Sequence, residues 1–155
     1  MATGEASIHI DRSPAEVFAL VGDPVNNPAW RKNVVRMAWE DDGPMRVGRR
    51  GSQTQHLLGR DWTVSAEVIE WDPPRRATWR TVQGPASVRS WVRVEPDGGG
   101  SIASGGADGG FTGPIGAILT RLAVPRMVAQ ADRDLRVLKA LLEADASGTP
   151  EPEPA

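Results

Sequence analysis

Along this chain the apolar positions first alternate, then cluster briefly at helical spacing, then alternate again, and finally recur every three or four residues. Ile8 and Ile10 alternate with Ser7 and His9, the period of a half-buried strand. Ser13-Pro14-Ala15-Glu16 is a helix start: Ser13 suits the N-cap, Pro14 the first helical position, and Glu16 closes a capping box. Val17, Phe18 and Val21 form the oily side of that short helix. Gly22-Asp23-Pro24 breaks it, and a second short helix is predicted from Val25 to Lys32, limited by Pro28.

Strand patterns follow as far as Ala107. Val35, Met37 and Trp39 are expected on one face, flanked by Arg36 and Glu40, before the turn Asp41-Asp42-Gly43-Pro44. Two long strands are predicted at Val47 to Leu58 and Asp61 to Trp71, joined through Gly59-Arg60. In the second, Trp62, Val64, Ala66 and Val68 share a face, while Ile69 and Trp71 fall on the other parity, which predicts a bulge or a strand end. Asp72-Pro73-Pro74 stops it. Ala77, Trp79 and Thr81 begin the next strand, and Val88, Ser90, Val92 and Val94 mark another before Pro96-Asp97-Gly98-Gly99-Gly100. Ser101 to Gly110 gives the weakest strand pattern, because glycine lowers strand stability.

The last helix starts near Ile115. Its stripe of Ile118, Leu119, Leu122, Met127, Ala131, Leu135, Leu138 and Leu142 must lie on something, and Pro125 is expected to kink or divide it. The strands are the one partner large enough. The expected architecture is α+β: a curved antiparallel sheet of about six or seven strands wrapped around the C-terminal helix, with two short helices after the first strand. Residues 1–144 read as a single domain, and 145–155, polar and proline-rich, as a disordered tail.

The order of these segments resembles the START-like superfamily, in its polyketide cyclase/dehydrase and lipid-transport branch with the helix-grip fold. The resemblance runs from Ala6 to Glu143. It rests on Ser13-Pro14-Ala15-Glu16-Val17-Phe18, on Asp23-Pro24 followed by Pro28-Ala29-Trp30, and on the turn Trp71-Asp72-Pro73-Pro74-Arg75-Arg76. Gly99-Gly100-Ser101 and the terminal stretch from Pro125-Arg126-Met127 to Leu142 complete it. It implies a cavity between sheet and helix, no catalytic residues common to all members, and an aromatic near the cavity mouth at Trp30. The family includes carriers, cyclases, hormone receptors and chaperone regulators, so fold does not fix chemistry. Two departures stand out: tyrosine is absent, and the glycine-rich last strand is expected to be shorter or looser than usual.

Composition narrows the chemistry. Cysteine is absent from the 155 residues, which excludes thiol catalysis, disulfides and cysteine-ligated metal. Met1 to Glu5 shows no basic n-region or apolar h-region and about 18 apolar residues nowhere run together, so a cytoplasmic protein without stable membrane insertion is expected. The net charge of −2 gives no footprint for nucleic acid, and arginine-dominated basic residues with abundant alanine, glycine and proline point to a bacterial source. Neither a metal nor another cofactor is expected, and monomer and homodimer both remain open.

Six tryptophans without tyrosine supply large apolar surfaces, each with a single N–H donor. Trp30, Met37, Trp39, Gln55, Leu57, Trp62, Val64, Trp79, Val92, Leu119 and Met127 are the expected ligand contacts. Trp91, between Arg89 and Arg93, is expected on the outer face. His9 reads as a surface residue. His56 shares parity with Ser52 and Thr54, against Gln53, Gln55 and Leu57, and could transfer protons only if its face were inward. His56 and Arg80 are thus the weak catalytic candidates. Asp61, Glu67 and Glu70 are carboxylates that could serve as general acids if one were buried. Three functions stay open: a binder of a lipid, isoprenoid or polyketide-like molecule; a cyclase, aromatase or dehydratase acting by positioning; or an interaction protein with a filled hollow.

Overall fold

A computed structural model describes residues 2–57 and 59–147. Seven strands run β1 (Ala2–Ile10), β2 (Val34–Trp39), β3 (Arg50–Leu57), β4 (Arg60–Asp72), β5 (Arg76–Gln83), β6 (Ala86–Asp97) and β7 (Gly100–Phe111). Helix α1 (Pro14–Val21), a 3-10 turn (Pro24–Asn26) and helix α2 (Asn27–Trp30) lie between β1 and β2, and α3 (Gly116–Ser147) closes the chain. The strands form one antiparallel sheet in the order β1-β7-β6-β5-β4-β3-β2. Consecutive strands pair by hairpins from β2 to β7, and the short helices carry the chain from one sheet edge to the other. This is the helix-grip architecture.

The local signals act where the sequence puts them. Ser13 Oγ accepts from Glu16 N–H at 3.3 Å, and its hydroxyl donates to Glu16 Oε1 at 3.0 Å. The helix stops at Gly22, and Asp23 caps the following turn by accepting from Val25 N–H. In β4 the pairing slips between Val68 and Glu70, the bulge foreseen from the parity change before Ile69 and Trp71.

Several expectations need correction. Pairing slips between Val34 and Arg36, so Val34 is buried and Val35 is about half exposed, rather than sharing a face with Met37 and Trp39. A bulge inserts one residue and inverts every side chain before it. β1 starts at Ala2 because β7 offers partners along its whole length, from Ile10 opposite Ser101 to Ala2 opposite Gly109. β7 itself is neither short nor loose. It has 12 residues, hydrogen-bonded on both sides. Its glycines are contact positions: a Cβ on Gly106 would come within 2.6 Å of the Trp91 ring, and one on Gly110 would collide with Thr120. Ladder bonds on both edges and these close approaches offset the intrinsic weakness of glycine in a strand.

α3 continues through Pro125 without dividing and reaches Ser147, past the start of the expected tail; residues 148–155, like Leu58 at the end of the predicted third strand, lie outside the described residues. Its stripe is also rotated at its start. Ile118 and Leu122 are 61% and 51% exposed, while Ala123 is buried. Thr120 fixes the rotation: its hydroxyl oxygen accepts from Phe111 N–H at 2.9 Å, and it sits against Gly110. Small residues therefore meet the sheet here, and the large ones turn outward.

The packed core occupies one end of the fold. Leu135 and Leu138 join Ile10, Val17, Phe18, Val21, Trp30, Ala77, Val94 and Ala103. The first half of α3 spans the other end with no such filling beneath it.

Candidate functional site

Between the concave face of the sheet and the first half of α3 lies a cavity of about 940 Å³. Strand alternation decides its walls. Gln53 opposes both Met37 and Val64, Gln55 opposes Trp62, and Gly51 opposes Trp39 and Ala66, so these residues share the concave face. Trp79, Thr81, Val88, Ser90 and Val92 continue that face across β5 and β6, with Gly105, Ala107 and Phe111 from β7. Ala123, Val124, Met127, Val128 and Ala131 of α3 form the opposite wall.

Trp30, Met37, Trp39, Gln55, Leu57, Trp62, Val64, Trp79, Val92 and Met127 border this space; Leu119 does not. His56 and Arg80 lie along its border too, but alternation turns both side chains toward the convex face. His56 Nδ1 lies 2.8 Å from Asp61 and Arg80 Nη2 3.5 Å from Glu67, and both side chains are more than half exposed. The inward condition set for His56 is therefore not met. Glu67 also pairs with Arg50, and Glu70 with Arg76, so none of the three candidate carboxylates enters the cavity. His9, likewise exposed, bridges Asp11 and Asp97. Trp91 is on the convex face, lying over Gly106 and donating to Glu5 Oε2 at 2.7 Å, which leaves it only 9% exposed.

The cavity indoles fall into two kinds. Trp39 Nε1 donates to Asp23 Oδ1 at 3.0 Å under the Arg49 guanidinium, and Trp62 Nε1 donates to Leu57 O at 2.8 Å with its ring 5.3 Å from Phe111. These two are fixed parts of the wall. Trp30 and Trp79 differ: each Nε1 is buried and without a hydrogen-bond partner among the described residues. An unsatisfied buried donor costs about 1–3 kcal/mol. A ligand oxygen within reach of either indole recovers that cost.

Polar residues that periodicity does not reveal also line the space. Asn27 Nδ2 donates to Gln53 Oε1 at 2.9 Å. Asn33 Oδ1 is buried without a partner among the described residues. Asp134 is 2% exposed; its Oδ1 accepts from Lys32 N–H at 3.2 Å and from Gln130 Nε2 at 2.7 Å. Arg31 stands on the same wall, where burial pushes its guanidinium below the ordinary arginine range and the charge of Asp134 acts the other way. Asp134 was legible in principle, since it lies on the three-and-four spacing with Ala131 and Leu138. Arg31 follows α2 in irregular chain and carried no such signal. Among the described residues no group of three or more His, Cys, Asp or Glu could hold a metal ion, and no helix is long and apolar enough to cross a membrane.

Comparison with known proteins agrees with this architecture. Residues 1–143 match the family described as polyketide cyclase / dehydrase and lipid transport. No curated protein matches the chain. Among solved structures, a protein of Thermus thermophilus superposes with a TM-score of 0.78 at 19% identity, covering 94% of this chain and 99% of that one. The Zhui aromatase/cyclase from Streptomyces sp. R1128 gives 0.77 at 13% identity, covering 94% and 95%. The di-domain aromatase/cyclase StfQ of the steffimycin biosynthetic pathway gives 0.75 at 14% identity, covering 94% of this chain and 51% of that one. At such identities the likeness is one of fold.

Proposed function

This chain belongs to the polyketide cyclase / dehydrase and lipid transport family, and from that premise we propose that it binds a small hydrophobic molecule between the sheet and α3. The observation that carries the reading is the open volume of about 940 Å³ walled by Trp30, Trp39, Trp62 and Trp79, which falls in the range of ligand pockets and exceeds ordinary packing voids. Two of those indoles keep unpartnered N–H groups, which suits a ligand that is apolar over most of its surface and bears an oxygen or two. Trp30, Met37, Trp39, Gln55, Leu57, Trp62, Val64, Trp79, Val92 and Met127 are its proposed contacts. Burying roughly 300 Å² of apolar ligand surface yields about 7 kcal/mol gross. Ordering costs offset part of that, so apolar burial alone is expected to give an affinity of tens of micromolar or weaker.

Native mass spectrometry of the freshly purified protein, followed by titration with fatty-acid, isoprenoid and polyketide-like probes, tests the reading. A retained or saturating ligand supports it, with binding weakened by Trp79→Ala. Empty protein that leaves every probe unbound overturns it.

A cyclase, aromatase or dehydratase role is the second reading, favoured by the aromatase/cyclase neighbours. His56 and Arg80 are poorly placed for it, because on the convex face His56 is hydrogen-bonded to Asp61 and Arg80 is paired with Glu67. Such an enzyme would act mainly by holding a reactive chain in a productive shape. Turnover of a poly-β-ketone surrogate with an altered product distribution distinguishes it from simple binding. An interaction protein with a filled hollow fits least, since the volume is open.

A further inference from the structure

Arg31 is a cavity residue whose chemistry the hydrophobic-ligand reading leaves unused. Its guanidinium is closely surrounded by protein yet keeps some accessible surface, as expected of a group on a cavity wall. It makes no ion pair and no hydrogen bond among the described residues. The opposing charge that acts on it is Asp134, which is already engaged by Lys32 N–H and Gln130. The neighbouring Arg133 is exposed and turned to Gln130 Oε1 at 2.9 Å. Beside Arg31 in sequence, Trp30 is only 7% exposed, with its N–H unpartnered.

Removing an arginine from water without giving it a carboxylate is unfavourable, and a leucine or methionine would fill the same wall at less cost. Arginine is also the cation that presents paired N–H donors to a planar oxygen pair and stays charged in such surroundings.

We propose that Arg31 is the anion anchor of this cavity, receiving the carboxylate of an amphipathic, singly charged ligand whose apolar body lies against Trp30, Trp62 and Trp79. This rests on the cavity being a ligand site and adds which class of ligand it selects. A single negative charge is the match, because one free guanidinium stands near one committed carboxylate; a phosphate dianion would bring a second negative charge toward Asp134.

The test compares dodecanoate with dodecan-1-ol by titration calorimetry on the wild type, Arg31→Met and Arg31→Lys. Charge-assisted hydrogen bonds predict that the wild type binds the acid about tenfold to a hundredfold more tightly than the alcohol. Arg31→Met should bring the acid down to the alcohol's affinity and leave the alcohol unchanged. Arg31→Lys should keep part of the preference. Because the methionine variant loses an unpaired charge, its melting temperature should equal or exceed the wild type's, which separates a lost anchor from lost folding. Equal binding of acid and alcohol by the wild type overturns the anchor while the ligand site stands, and so does an equal loss of both in a folded Arg31→Met protein. If the wild type binds neither, the ligand site and the anchor fall together.

Discussion

Gly105 offers the most direct test of the hollow, because it lies on the concave face between Ala6 and Val92 and a Cβ built there meets nothing within 4 Å. Its φ lies outside the left-handed range, so an L residue fits the backbone. Gly105→Leu therefore adds an apolar side chain to empty space. Replacing a strand glycine removes unfolded-state freedom worth about 0.5–1 kcal/mol. Burying a leucine side chain is worth about 2 kcal/mol when fully enclosed, and a cavity wall encloses only part of it. The net expectation is a gain of about 1–2 kcal/mol, which for a chain of this length raises the melting temperature by on the order of 5 °C.

Gly105→Ala should give only the backbone share. Ligand binding should move the other way: displacing roughly 50 Å² of ligand contact costs about 1.3 kcal/mol, close to tenfold in affinity. Chemical denaturation of the empty proteins and titration with dodecan-1-ol read the two effects separately. If Gly105→Leu is less stable than Gly105→Ala, the space is not open. If it is more stable but binds the ligand as tightly as the wild type, the ligand lies elsewhere.

Three further outcomes follow from the packing and charge. Gly106→Val should destabilise by about 1–3 kcal/mol in guanidinium unfolding, since its Cβ would press on the Trp91 ring from 2.6 Å. Leu138→Ala, at a fully buried position where α3 meets the solid end of the core, should cost about 2–5 kcal/mol in the same assay without changing ligand affinity. Hydrogen bonds to Asp11 and Asp97 raise the His9 pKa above its ordinary 6.5, and the bond to His9 lowers that of Asp11 below 3.8. The His9 contribution is thus complete below pH 6.5 and is lost as pH rises through the raised value, while that of Asp11 is complete above 3.8 and is lost as pH falls. The stability difference between wild type and His9→Gln should be largest near pH 5 and shrink by about pH 8; a difference that grows over that range refutes the assignment.

Periodicity and end signals determined the element order, because they record which side each residue turns to its immediate neighbours. Ser13 and Glu16 cap α1 through contacts three residues apart, and the parity change before Ile69 announced the bulge in β4. The indole-rich face followed from alternation in the same way, as Trp62, Val64 and Trp79 lie where their parity puts them. What alternation cannot settle is which face becomes the inside, since that depends on pairing with distant strands. The bulge at Val34 to Arg36 reversed Val35, and the inward turn of Gln53 and Gln55 left His56 outside. Glycines that read as weakness in β7 proved to be the points where Trp91 and Thr120 approach the backbone. The unpartnered guanidinium of Arg31 came only from the assembled fold, because removal from water is a property of everything packed around a charge and not of the residues beside it in the chain.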